Sequence, residues 1–258
     1  MRIFRHKGIT VENKYVHYFD IEPSGYKQTL ICIHGAGGYA YHWGNQLRNA
    51  ANWNCRILAM DLPGHGKSAG EPFEDIGSYG GFIQQFIAQL EIVNYCVIGH
   101  SMGGAIALNI SINGSLPPKA VILVGAAPRF PVNKKILNEF KTGLKPEHFI
   151  KAAYDKNLPA GFLKLALEEF ATTPALTYFR DLLACSNFNV SEAIKTLSIP
   201  SLWLLGSSDR LISNNDVLDT ISGVHGCQYK IIDRAGHMIH LEQPEMVNNE
   251  IYSFLSSL

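Results

Sequence analysis

Short, continuous apolar runs alternate with longer amphipathic stretches along most of this chain. Residues 29–33, 56–60, 95–98, 120–124 and 201–205 are unbroken or nearly unbroken apolar runs of strand length. A strand covered on both faces reads this way, because neither face has to meet water. Residues 228–232 follow as a further strand, and 8–20 read as two short strands around Glu12-Asn13-Lys14. The chain then turns at Glu22-Pro23-Ser24-Gly25. Between the strands, residues 39–51 have a helical pattern, and 79–90 place Phe82, Ile83, Phe86, Ile87 and Leu90 on one helical face. Small residues from Ala105 onward continue as a helix, and 242–258 close the chain as an amphipathic helix entered through Gln243-Pro244.

The alternation stops between Pro128 and Pro200. Helical patches fall at 134–142, 146–154, 159–170, 174–186 and 191–197, with no strand pattern among them. The expected fold is therefore α/β, with a mostly parallel central sheet and helices on both faces. Residues 1–127 and 199–258 would form this core, and 128–198 an inserted helical cap over the strand ends. The cap holds more aromatic side chains than its small helices need for packing. Phe130, Phe162, Tyr178 and Phe179 are the candidates to line an apolar pocket, with the remainder packing the cap itself.

Composition narrows the function classes. The 258 residues are 47% hydrophobic and 17% charged, with 22 basic and 22 acidic side chains. Such a balance argues against a nucleic-acid or anionic-membrane surface. No apolar stretch reaches the roughly 18 residues of a membrane span. The basic start, Met1 to Lys7, leads into no apolar signal region, so a cytoplasmic location is expected. Cys32, Cys55, Cys96, Cys185 and Cys227 include no C-x-x-C pair and read as small core residues. The histidines form no metal-binding spacing, and Gly35 to Gly38 lack the Lys-Ser/Thr ending of a phosphate loop, so neither a metal nor a nucleotide is expected.

The chemistry gathers at the strand ends. In a parallel sheet functional groups collect at the carboxyl ends, and here those ends carry His34-Gly35, Asp61, Ser101, Gly206 to Asp209 and His237. Gly99-His100-Ser101-Met102-Gly103 follows a strand and opens a helix, as in the G-x-S-x-G nucleophile elbow. A turn this tight excludes side chains at the flanking glycines and lifts the serine oxygen to the positive end of a helix.

With His34-Gly35-Ala36-Gly37-Gly38, Asp61 to Ser68, Gly206-Ser207-Ser208-Asp209 and Gly236-His237, these residues resemble the α/β-hydrolase fold family over nearly the whole chain. The resemblance is to its serine esterase-like branch with a helical cap. It implies Ser101 as nucleophile, His237 as general base and Asp209 as the acid that orients it. It further implies an oxyanion hole built from the backbone N–H groups of Ala36 and Met102. This chemistry needs no cofactor. Of the other histidines, His34 and His65 are expected to hold loops, and His100 to point away from the partner of Ser101. Asp61 is expected to brace the Pro63-Gly64 turn, and Asp233 to cap the turn after its strand. The implied function is hydrolysis of a small, fairly apolar carboxylic ester. Carbon–carbon hydrolysis, thioester cleavage and perhydrolysis occur on the same scaffold, and some relatives keep the triad as slow ligand receptors.

Overall fold

The computed structural model describes residues 4–258, so Met1, Arg2 and Ile3 of the basic start lie outside the described residues. Strands β1 (His6–Val11) and β2 (Lys14–Ile21) form an antiparallel hairpin. Its turn residues Glu12 and Asn13 have φ of 48° and 62°. Strands β3 (Gln28–Ile33), β4 (Cys55–Met60), β5 (Tyr95–His100), β6 (Val121–Val124), β7 (Ser201–Gly206) and β8 (Cys227–Ile232) run parallel to one another. The sheet order is β1-β2-β4-β3-β5-β6-β7-β8, with β2 antiparallel to β4.

The apolar runs supply both faces at once because successive side chains on a strand point oppositely. Ile31, Ile33 and Val97 join one core layer with Phe82, Phe86 and Ile106. Leu30, Cys32, Cys96 and Ile98 join the other with Trp43, Val247, Ile251 and Phe254. The first layer is closed by α2 (Ile76–Gln89) and α3 (Met102–Asn113), the second by α1 (Gly44–Leu47) and α10 (Pro244–Ser256).

Several elements differ from their sequence expectation. Residues 39–51 do not form one helix: a 3-10 turn at Ala40–Trp43 leads into the single turn α1, and the chain then unwinds. Gly44 and the Asn45, Asn49 and Asn52 side chains favour local turns, and Asn49 Nδ2 donates to Asn45 O at 2.9 Å. Helix α2 begins earlier than residue 79, because Asp75 caps it by accepting from Ser78 N at 2.7 Å. The closing helix α10 starts two residues later than expected, at Pro244, and a separate turn, α9 (Ile239–Glu242), precedes it, since Pro244 has no N–H to join the two. Strand β8 is exposed along Gln228 to Ile231, because it sits last in the sheet with only β7 beside it.

Between β6 and β7 stand α4 (Lys134–Lys141), α5 (Glu147–Ala153), α6 (Ala160–Thr172) and α7 (Ala175–Asn187). The ends of this helical segment meet: Arg129 and Asn189 form an isolated bridge, and Val190 N donates to Pro128 O at 2.9 Å. Phe140, Phe170, Tyr178 and Leu182 pack as a small core of its own. Helix α8 (Asn214–Ile221) connects β7 to β8. Among the described residues, no helix is long and apolar enough to cross a membrane.

Candidate active site

Ser101 stands between β5 and α3 with φ 52° and ψ −116°, a conformation costing a residue with a side chain about 1–3 kcal/mol. The glycines explain how the turn closes. A Cβ on Gly99 would lie 2.1 Å from Gly103 O, and one on Gly103 would lie 2.2 Å from Ile33 O. These are main-chain atoms of the packed sheet and helix, which cannot swing aside. Ser101 N donates to Val124 O at 2.9 Å, tying the elbow to the end of β6.

His237 lies beyond β8, and its Nδ1–H donates to Asp209 Oδ2 at 2.8 Å. This bond leaves Nε2 with its lone pair available. The other oxygen, Asp209 Oδ1, accepts from Leu211 N at 2.8 Å and Ile212 N at 3.0 Å. Burial pushes the Asp209 carboxyl up, but the nearby imidazole and these hydrogen bonds outweigh it and hold the group below its ordinary value. Ser101 Oγ has no hydrogen-bond partner among the described residues, and Ser101 and His237 both face one cavity of about 560 Å3. Ala36 lines the same cavity. Neither its N–H nor that of Met102, the first residue of α3, has a partner among the described residues.

Of the four aromatic candidates, Phe130 and Tyr178 line this cavity, while Phe162 and Phe179 are not part of its wall. Phe162 instead meets Tyr154 edge-on at 5.7 Å, and Phe179 lies beneath the Lys141 ammonium. Both sit at helix positions whose side chains face other parts of the segment. His100 also departs from expectation. It points toward His237, donating from Nε2 to His237 O at 3.0 Å, with the two rings 5.0 Å apart. Burial holds this imidazole neutral, well below its ordinary pKa.

His34 and His65 do hold loops. His34 Nδ1 donates to Gly35 O at 2.8 Å and Nε2 accepts from Leu62 N at 3.1 Å, so this ring is neutral. Asp61 braces its turn through Lys67 N at 2.8 Å, and reaches further to Ala40 N at 2.7 Å and His17 at 2.7 Å.

Two buried carboxylates around the site carry no motif. Glu242 accepts from Gly236 N at 3.0 Å, Met238 N at 3.1 Å and Asp155 N at 2.8 Å. It therefore clamps both neighbours of His237 together with the chain leaving α5. His237 N and Met238 N also donate to Ala153 O, at 2.7 and 3.2 Å. Burial raises the Glu242 pKa despite these donors. Asp181 on α7 accepts from Gly37 N at 2.8 Å, Tyr79 OH at 2.7 Å and His65 Nε2 at 2.8 Å. His65 Nδ1 also faces an acceptor, Pro63 O at 3.0 Å, so both ring nitrogens donate and the ring is an imidazolium. Burial opposes that charge, but Asp181 outweighs it and raises the His65 pKa.

Neither acid stands in an apolar run, and neither has a spacing that announces its partners. Leu241 precedes Glu242, and Asp181 shares a helix face with Tyr178 and Cys185. Among the described residues, no three His, Cys, Asp or Glu side chains stand together in a way that could hold a metal ion.

Comparison with known proteins agrees with this architecture. The sequence model of the alpha/beta hydrolase family matches residues 30–250. The (E)-2-((N-methylformamido)methylene)succinate hydrolase of Acinetobacter baylyi is 24% identical over 260 residues, 95% of each chain. The 2-hydroxy-6-oxononadienedioate/2-hydroxy-6-oxononatrienedioate hydrolase of Cupriavidus pinatubonensis is 25% identical over 256 residues, 89% of this chain and 87% of its own. A solved esterase from Exiguobacterium antarcticum superposes with a TM-score of 0.86 at 18% identity, covering 98% of this chain and 100% of its own. Eight strands in this order, a serine at a positive-φ elbow and a family match over most of the length lead to one assignment: the chain belongs to the alpha/beta hydrolase family.

Proposed function

We propose that this chain is a carboxylesterase that cleaves small, fairly apolar esters through an acyl-enzyme on Ser101. The observation that carries the reading is the shared cavity, onto which the strained Ser101 and the Asp209-oriented His237 both open. Ser101 Oγ attacks the ester carbonyl while His237 Nε2 takes its proton. The resulting oxyanion accepts hydrogen bonds from the Ala36 and Met102 N–H groups, each such donor contributing about 2.7–4 kcal/mol to the transition state. Collapse of the intermediate expels the alcohol, which leaves with the proton held by His237. Water, activated by the same imidazole, then releases the acid and restores Ser101.

Phe130, Val132, Ile136, Phe149 and Tyr178 give the cavity wall its apolar character. The segment 128–198 acts as the cap that encloses the substrate and sets its size. The relatives named above are hydrolases of a succinate derivative and of dioates, so kinship alone does not choose the bond. The experiment is hydrolysis of short-chain esters by the wild type and by Ser101→Ala, with fluorophosphonate labelling in parallel. Turnover and labelling that disappear with Ser101 support the reading. Labelling of Ser101 without ester turnover would move the activity to another acyl or carbon–carbon substrate.

A further inference from the structure

One acidic side chain lines the cavity. Glu169, on α6, stands among apolar neighbours and is held there by His42, whose Nε2 contacts its Oε1. The Tyr39 hydroxyl stands within hydrogen-bonding reach of the same carboxylate, whose side chain keeps 37% of its exposure. Tyr39 flanks the pair, its ring 4.7 Å from that of His42. Its phenol is pushed up to about 12, first by burial and then by the Glu169 charge, so it stays protonated and does not compete for the role of anion.

The location relative to the chemistry follows from His42. A Cβ on Gly38 would meet His42 Nδ1 at 2.9 Å, so the imidazole runs from the loop holding Ala36 at one nitrogen to Glu169 at the other. One ring therefore separates Gly38, two residues beyond Ala36, from the carboxylate. A substrate carbonyl at Ala36 and Met102 would bring a group a few bonds along its chain beside Glu169. The basic side chains of the cavity wall have other partners. Arg210 already donates to Lys151 O and, at 2.9 Å, to Tyr154 O. His148 is 64% exposed and points to Glu139.

We propose that Glu169 is the specificity-determining residue of this cavity, selecting esters whose chain ends in a cation or hydrogen-bond donor and rejecting those that end in a carboxylate. The proposal rests on the ester-hydrolase reading of the same site. A carboxylate in a mostly apolar wall attracts donors and cations, and it repels a second anion brought against it. Neutral chains meet only the apolar remainder of the cavity.

The test compares three ethyl esters of similar length: ethyl pentanoate, monoethyl glutarate and ethyl 4-(trimethylammonio)butanoate. Acid release is titrated for the wild type, Glu169→Gln and Ser101→Ala. The expected wild-type kcat/KM for the glutarate is at least tenfold below that for the pentanoate, with the cationic ester equal to or above the neutral one. Glu169→Gln is expected to bring the glutarate-to-pentanoate ratio to within threefold of unity. A wild type that hydrolyses the glutarate as well as the pentanoate would overturn the proposal whatever the variant does. So would an unchanged ratio in a folded Glu169→Gln, or a preference for the anion that Arg210→Met abolishes. Failure of the underlying reading looks different: no ester of the three would then turn over in a Ser101-dependent way.

Discussion

The elbow stores its strain in one residue and depends on its neighbours having no side chains. Replacing Gly99 or Gly103 by alanine forces a methyl group onto main-chain atoms about 2 Å away. The expected loss is about 1–3 kcal/mol of stability or more, with esterase activity falling beyond what unfolding explains; thermal melts and kcat on the folded fraction check both. Asp209→Asn leaves the shape intact but lets the partner imidazole take the wrong tautomer. A drop in kcat of about four orders of magnitude is expected, with little change in melting temperature. The two glycines were legible in the sequence because a tight strand-to-helix turn demands them at fixed spacing, whereas Asp209 rested on the family resemblance alone. Asp181 was not legible. Its partner Gly37 lies 144 positions away, and no spacing rule links an acid on a distant helix to a loop N–H. Phe162 and Phe179 show the converse, since aromatic character alone does not say which face of a helix meets the cavity.

Helix α7 does more than cover the sheet. Through Asp181 it takes a hydrogen bond from the loop that carries Ala36 and an ion pair from His65, and both partners belong to the sheet-bearing part of the chain. Asp181→Ala leaves a buried imidazolium and two buried donors without an acceptor. A loss of about 3–5 kcal/mol is expected by chemical denaturation. Because Gly37 is then unheld, kcat should fall more than KM rises, and Asp181→Asn, which keeps one acceptor oxygen, should recover part of the loss. Helix positions were read well from apolar periodicity where side chains face a core, as in α2. The reading failed at 39–51, where glycine and asparagine offer the backbone local bonds that compete with a helix. At the end of the chain it was off by two residues only, the last helix entering through Gln243-Pro244 as expected.

Across the whole molecule, the mostly parallel sheet with helices on both faces followed from the alternation of apolar runs. What that alternation does not carry is how the antiparallel edge is fastened. Asp20 on β2 accepts from Arg56 on β4, at 3.0 and 2.8 Å, and from Lys7 on β1, at 2.7 Å. Burial pushes this carboxyl up, but its two cations outweigh that and hold it below the ordinary aspartate value. A depressed folded pKa means that the contribution is complete above the ordinary aspartate range and is lost as pH falls through the folded value. Asp20→Asn should therefore cost about 1.5–3 kcal/mol at neutral pH and much less in strong acid, which melting curves across pH would show. The clamp of Glu242 and Ala153 on the loop of His237 has a consequence of another kind. Because the chain leaving α5 is bonded to the residues on either side of His237, the helical segment between β6 and β7 is not an exchangeable module. A graft that replaces 128–198 with the segment of another hydrolase would reset the base along with the pocket. Transplants that keep residues 153–155 native should retain turnover while acquiring new substrates.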